Sequence, residues 1–162
     1  MVFTETAIKG VYLIGLERKE DHRGFFARAW CHQEFEAHGL NPSLAQVNVG
    51  FSRKKGTLRG MHFQRHPHQE AKLVRCTMGQ IFDVAVDLRP DSPTYRQWVG
   101  AELTADNRTM LYVPEGCAMA IKRCRMMPKW SIRPLNFLSP HMQLACGLTI
   151  QRSALYGPWR SR

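Results

Sequence analysis

The apolar residues of this chain come in short bursts, and each burst is closed by turn chemistry. LAQVNVGFS (44–52), AKLVRCT (71–77), QIFDVAVDL (80–88), QWVGAEL (97–103) and TMLYV (109–113) are rich in β-branched and aromatic side chains. Lys55-Gly56, Met78-Gly79, Arg89-Pro90-Asp91-Ser92-Pro93, Asp106-Asn107 and Pro114-Glu115-Gly116 separate or end them. Runs this short, spaced about ten residues apart, build a sandwich or barrel and exclude an α/β fold. Upstream, residues 8–17 and 24–30 read as further strands, and HQEFEAHGL (32–40), ending near a glycine, reads as one short helix. The expected fold class is therefore all-β. The length, 162 residues, suits one domain with a real core. No run of about 18 apolar residues offers a membrane span, so no membrane partner is expected.

Charge divides the chain in two. Residues 1–117 hold 15 Lys and Arg against 13 Asp and Glu; residues 118–162 hold 8 Lys and Arg and no acid. Most of the net charge of +10 thus belongs to the last stretch, which also carries four of the eight methionines. A basic arm for nucleic acid would cluster its charges and stay solvated. Here they are scattered among apolar residues, as in MMPKWSIRPLNFL, so no nucleic-acid partner is expected. The five cysteines (Cys31, Cys76, Cys117, Cys124, Cys146) are odd in number and contain no CxxC. That argues against a disulfide scaffold and for a reducing compartment. The start, MVFTETAIKG, lacks the pattern of a secretory signal, so the cytoplasm is the expected location.

Within 80–88, Ile81, Asp83, Ala85 and Asp87 share one face, and Phe82, Val84, Val86 and Leu88 the other. The second face reads as core. The first puts two carboxylates either on a solvated surface or inside a barrel.

The densest polar cluster lies in residues 56–76, with Arg59, His62, His66, His68, Glu70 and Lys72. Two chemistries fit it. In one, His66, His68 and Glu70 approximate the HxH…E pattern of metal-binding cupins, imidazoles two apart on a strand pointing the same way. Pro67 and the tight His-Pro-His-Gln-Glu run look more like a loop. In the other, neutral His62 takes a proton from carbon α to a ketone while Lys72 steadies the enolate oxygen. Arg23, Arg59, Gln46 and Asn48 are then available to hold an anionic substrate, guanidinium groups being suited to diphosphate.

The segments DHRGFF (21–26), QVN (46–48), GTLRGMHFQ (56–64), KLVRC (72–76), DVAVDLRPDSPTY (83–95), WVG (98–100) and LYVPEGCA (111–118) resemble the dTDP-4-dehydrorhamnose 3,5-epimerase family, in its order and spacing. The resemblance implies a cupin-like jelly roll (double-stranded β-helix) with one or two short helices, usually a homodimer, needing no metal and no cofactor. It implies epimerisation at C3 and C5 of a nucleotide-linked 4-keto-6-deoxyhexose: dTDP-4-dehydro-6-deoxy-D-glucose becomes dTDP-4-dehydro-L-rhamnose, in dTDP-rhamnose and surface polysaccharide biosynthesis. Some similar sequences act at C3 only. His62 falls on the family's general base and Lys72 on the cation near the ketone. Arg23, Arg59, Gln46 and Asn48 fall on substrate contacts, and Phe25 and Phe26 on an aromatic motif. Arg28 stands where the family often has Glu.

After PEGxA the family continues with a His-Gly pair, then a catalytic Tyr, then a carboxylate that orients the base. This chain continues Met119-Ala120-Ile121-Lys122-Arg123-Cys124, with Ile132 where the Tyr is expected. Reverse translation, read one frame over from the last base of the Ala118 codon, forces Gly from Met119-Ala120, Asp from Met126-Met127 and Ala from Met127-Pro128. Permitted codons complete His-Gly-Tyr-Lys-Thr-Leu-Gln-Asp-Asp-Ala-Glu-Val-Val-Tyr across 118–132. The organisation expected is an epimerase core, 1–117, followed by an out-of-frame tail, 118–162, that does not complete the jelly roll.

Overall fold

A computed structural model describes residues 1–124. The elements run β1 (Val2–Glu5), β2 (Tyr12–Gly15), β3 (Lys19–Asp21), β4 (Gly24–Phe26), α1 (His32–Ala37), β5 (Leu58–His62), β6 (Lys72–Arg75), β7 (Gln80–Asp87), β8 (Trp98–Thr104), β9 (Met110–Val113) and β10 (Cys117–Arg123). One sheet has the order β1-β2-β9-β6, a second β5-β10-β7-β8, and β3-β4 forms a separate hairpin. β9 lies between β2 and β6, and β10 between β5 and β7, so strands distant in sequence become neighbours. This is the cupin-like jelly roll, and the all-β expectation holds.

Two-residue periodicity builds the interior. From β9, Leu111 and Val113 point into one cluster with Ile8, Val11, Cys76, Ala85, Leu103, Cys117 and Met119, drawn from both sheets. Met110 and Tyr112 point the other way, to a second cluster with Ile14, Phe35 and Leu40. All four residues of β9 are buried because α1 covers the outer face. A six-residue helix does not persist alone in water. It is held by Phe35, 1% exposed, whose ring meets Phe3 at 5.6 Å and Tyr112 at 5.9 Å, both edge-on. Full burial of such a side chain contributes about 2–3 kcal/mol.

Three outcomes differ from the pattern reading. The segment 44–52 forms no strand, and Val47, Val49 and Phe51 are 74%, 94% and 66% exposed. Alternation sets which side chains share a face, but a strand also needs an edge to pair with, and this segment pairs with none among the described residues. Second, β10 carries the described fold past the composition break at 117/118, because Ala118, Met119 and Ala120 are apolar and buried. Third, the carboxylate face of β7 is the inside of the barrel. Asp83, Ala85 and Asp87 are all fully buried, and Val84 and Val86 on the opposite face are buried as well.

Candidate active site

His62 ends β5 in one sheet and Lys72 begins β6 in the other. The site therefore lies where two sheet edges are joined by the short link 63–71. Register explains how Arg59 and His62, three residues apart, come to share a face. Met119 pairs with His62 and Ile121 with Arg59, so Gly60 and Met61 of β5 oppose the single Ala120 of β10, across a bulge. Met119 and Ile121 share one face, and their partners follow them. The bulge requires Gly60. Its φ is +121°, and a Cβ there would lie 2.7 Å from the Met119 carbonyl oxygen and 2.8 Å from the Ala120 Cα.

His62 keeps an open side toward solvent. Its pKa is nonetheless lowered, first by partial burial and then by the positive charges of Lys72 and Arg59, with Glu70 acting in the opposite sense. The ring is thus neutral at neutral pH, the form a proton acceptor needs. Arg59 is held by its Nε donating to Ser52 Oγ at 2.8 Å and its Nη2 donating to the Phe51 carbonyl at 2.8 Å. Lys72 donates through Nζ to Glu70 Oε1, a partly buried ion pair.

The remaining substrate contacts expected from the sequence are not gathered here. Arg23 sits at the β3–β4 turn, 78% exposed, paired with Asp21 at 2.6 Å. Phe25 lies under the guanidinium groups of Arg18 and Arg108, 4.8 and 5.0 Å from the ring centre. Gln46 and Asn48 are exposed on the unpaired segment. No hydrogen bond or ion pair among the described residues ties these four to His62 or Lys72. Arg28, which replaces the family's usual Glu, donates to Glu34 at 2.7 Å, and Glu34 also holds the N-terminal amine at 2.7 Å. Glu34 thereby ties α1 both to Arg28 and to the start of the chain.

The metal alternative finds no geometry. His66 and His68 lie in the turn region before β6, Glu70 is committed to Lys72, and no three His, Cys, Asp or Glu converge among the described residues.

Asp83 was missed as anything beyond a face assignment. It lies opposite Ile121 on β10 and Ala101 on β8, with Met119 diagonal to it, all apolar. Both its oxygens lack a hydrogen-bond partner. Burial raises its pKa to about 7; the nearby Val84 N–H opposes this, though not in hydrogen-bond geometry. The signal for it was in the sequence: an Asp in phase with Ala85 and Ile81 on a strand whose other face is also apolar. Ile132 and the carboxylate expected beyond it lie outside the described residues.

The sequence model of the dTDP-4-dehydrorhamnose 3,5-epimerase family matches residues 5–125. The chain belongs to this family. The dTDP-4-dehydrorhamnose 3,5-epimerase of Salmonella typhimurium is 40% identical over 141 residues, 86% of this chain and 76% of that protein. The Bacillus anthracis enzyme, solved with TDP and PPi bound, has a TM-score of 0.71 at 40% identity, over 76% of this chain and 70% of that one. A 3'-monoepimerase from Streptomyces bikiniensis, solved with dTDP-quinovose, has a TM-score of 0.66 at 32% identity, over 74% and 60%. The family match favours the epimerase reading over the metal-cupin one: the chain belongs to a family of isomerases of dTDP-rhamnose biosynthesis.

Proposed function

We propose that His62 removes the proton from carbon beside the ketone of a dTDP-linked 4-keto-6-deoxyhexose, while Lys72 steadies the enolate oxygen and Arg59 holds the diphosphate. The observation that carries this is the meeting of a neutral imidazole and an ammonium from strand ends of two different sheets, with an arginine alongside. Stabilising the enolate and positioning a base of suitable pKa together lower the barrier to C–H removal. Arg23, Phe25, Gln46 and Asn48 hold nucleotide and sugar. The substrate is a cytoplasmic nucleotide sugar, and the chain works there.

These four residues lie on the β3–β4 hairpin and on segment 44–52, both exposed in one protomer. The reading supported by this exposure is a homodimer in which the alternating, edge-seeking segment 44–52 pairs with a second copy. Light scattering on the purified protein then gives twice the chain mass; a monomer at micromolar concentration refutes the pairing.

The chain as written has Ile132 where the family's proton-returning Tyr is expected. We propose that a one-base deletion near the Ala118 codon separates it from the complete enzyme, leaving 1–117 as the epimerase core and 118–162 out of frame. Asp83 supports this reading. In the shifted frame position 119 becomes His, a donor next to the row in which Asp83 now faces only apolar side chains.

The test compares the written chain with the frame-restored one in heavy water. The restored chain should wash deuterium into the sugar and form product; the written chain should form none. In the restored chain, His62→Asn should slow wash-in about 10²–10⁴-fold, the range for loss of a general base. Undiminished wash-in in that variant would sink the assignment of the base. Equal product from both frames would sink the deletion.

A further inference from the structure

We infer that Glu70 is a positioning residue of this site: its carboxylate holds the Lys72 ammonium beside His62 and is the counter-charge of a polar cluster otherwise made of cations. The inference deepens the epimerase reading and rests on it. Glu70 and Lys72 are two apart at the entry to β6, the spacing that puts extended side chains on one side. They form the one ion pair among the described residues that reaches this cluster. Both are partly shielded, Lys72 at 24% and Glu70 at 37% side-chain exposure, so the contact is less screened than a fully exposed pair.

Charges near His62 come from two elements. Arg59 lies on β5 with it; Lys72 and Glu70 reach it from the start of β6. The β10 residue paired with His62 is Met119, which is uncharged. Asp83 on β7 belongs to the neighbouring row, behind Ile121. Lys72 and Arg59 both disfavour the imidazolium, and Glu70 alone among the contributing charges favours it. Without Glu70, two cations would act on the base unopposed. His62 would then become a poorer proton acceptor, and Lys72 would lose the partner that keeps its flexible stem at the site. With Glu70 present, the ammonium is held by a contact that an enolate oxygen can share, since an ammonium carries three donors.

This role predicts an effect on His62 that a surface ion pair would not have. The His62 imidazole is titrated by NMR in the full chain, unaltered and as Glu70→Gln and Glu70→Asp. Glu70→Gln should move the His62 midpoint down by about 0.3–1 pH unit, the scale of one partly screened charge at this range. Glu70→Asp, which keeps the charge, should recover at least half of that shift. On the frame-restored chain, the acidic limb of the rate profile for Glu70→Gln should move down with it. A His62 midpoint unchanged in Glu70→Gln, with only a lower melting temperature, would overturn the proposal. If Glu70→Gln does not fold, equal midpoints in the unaltered and Glu70→Ala proteins would overturn it. The titration does not depend on turnover. Failure of the epimerase reading shows separately, as undiminished deuterium wash-in by His62→Asn.

Discussion

Two aspartates on the inner face of β7, four residues apart, meet opposite fates. Asp87 and Asp83 are both fully buried. Asp87 is saturated. It accepts from Arg89 Nε at 2.8 Å, Arg89 Nη2 at 2.8 Å and the Arg89 backbone N–H at 3.0 Å. Ser92 Oγ at 2.5 Å and Thr94 Oγ1 at 2.7 Å complete the shell. Burial alone would raise its pKa, but these hydrogen bonds outweigh burial and hold it well below the usual carboxylate range. Asp83, two pleat repeats along the strand, has no donor. The difference lies in where the partners come from. Those of Asp87 are local, within RPDSPT, and arrive with the turn. Any partner of Asp83 has to come from another strand, and its neighbours supply Ala101 on β8 and Met119 and Ile121 on β10. A buried carboxylate with local partners organises a turn; one whose partners are long-range depends on a strand contributed by the part of the chain where the composition changes.

The sharpest way to break this comparison is at its satisfied end. Asp87→Ala leaves the Arg89 guanidinium without its counter-charge, bonded only to the Lys9 carbonyl, and frees Ser92 and Thr94. It should destabilise the protein by about 3–5 kcal/mol, read from urea unfolding. A loss under about 1 kcal/mol would show that the network is ornamental.

The next effect is in pH, and the two residues have opposite signs. Asp83 has a folded-state pKa of about 7, above its unfolded value. Between pH 4 and 7 the native state binds a proton that the unfolded state has released. Stability from this group is therefore full below about pH 4 and is lost as pH rises to 7, by up to ~4 kcal/mol for a three-unit shift. Asp87 is depressed, so its contribution is present above about pH 4 and lost as pH falls below it. Unfolding followed from pH 4 to 8 should show stability declining toward neutrality, and Asp83→Asn should flatten that slope. A slope that survives the substitution would mean another group is responsible.

The strongest sequence pattern and the weakest structural outcome fall on the same residues, 44–52. Val47, Val49 and Phe51 alternate there with Gln46, Asn48 and Gly50, giving two faces of different polarity, yet no strand forms. The runs 80–88, 97–103 and 109–113 did become strands, as Gln80–Asp87, Trp98–Thr104 and Met110–Val113. Each of these found an antiparallel neighbour. β10 carried little alternation because both its faces are packed at its start, and so it was not legible as a strand. In the site, His62, Lys72 and Arg59 could be picked out by residue type and by the family motif around them. Glu70 looked like a metal ligand until its contact with Lys72 was visible.

Taken alone, the order of residues settled the class of fold, the family and the break in composition at 117/118, and it nominated the imidazole and ammonium of the candidate site. Those properties are written in periodicity, turn residues and motif spacing, all local. Tertiary structure decided that a bulge at Gly60 turns Arg59 and His62 to one side, that Glu70 serves Lys72, and that Asp83 is buried without a partner. Each depends on which strand lies alongside, and cross-strand register is a long-range property that no local window of sequence contains.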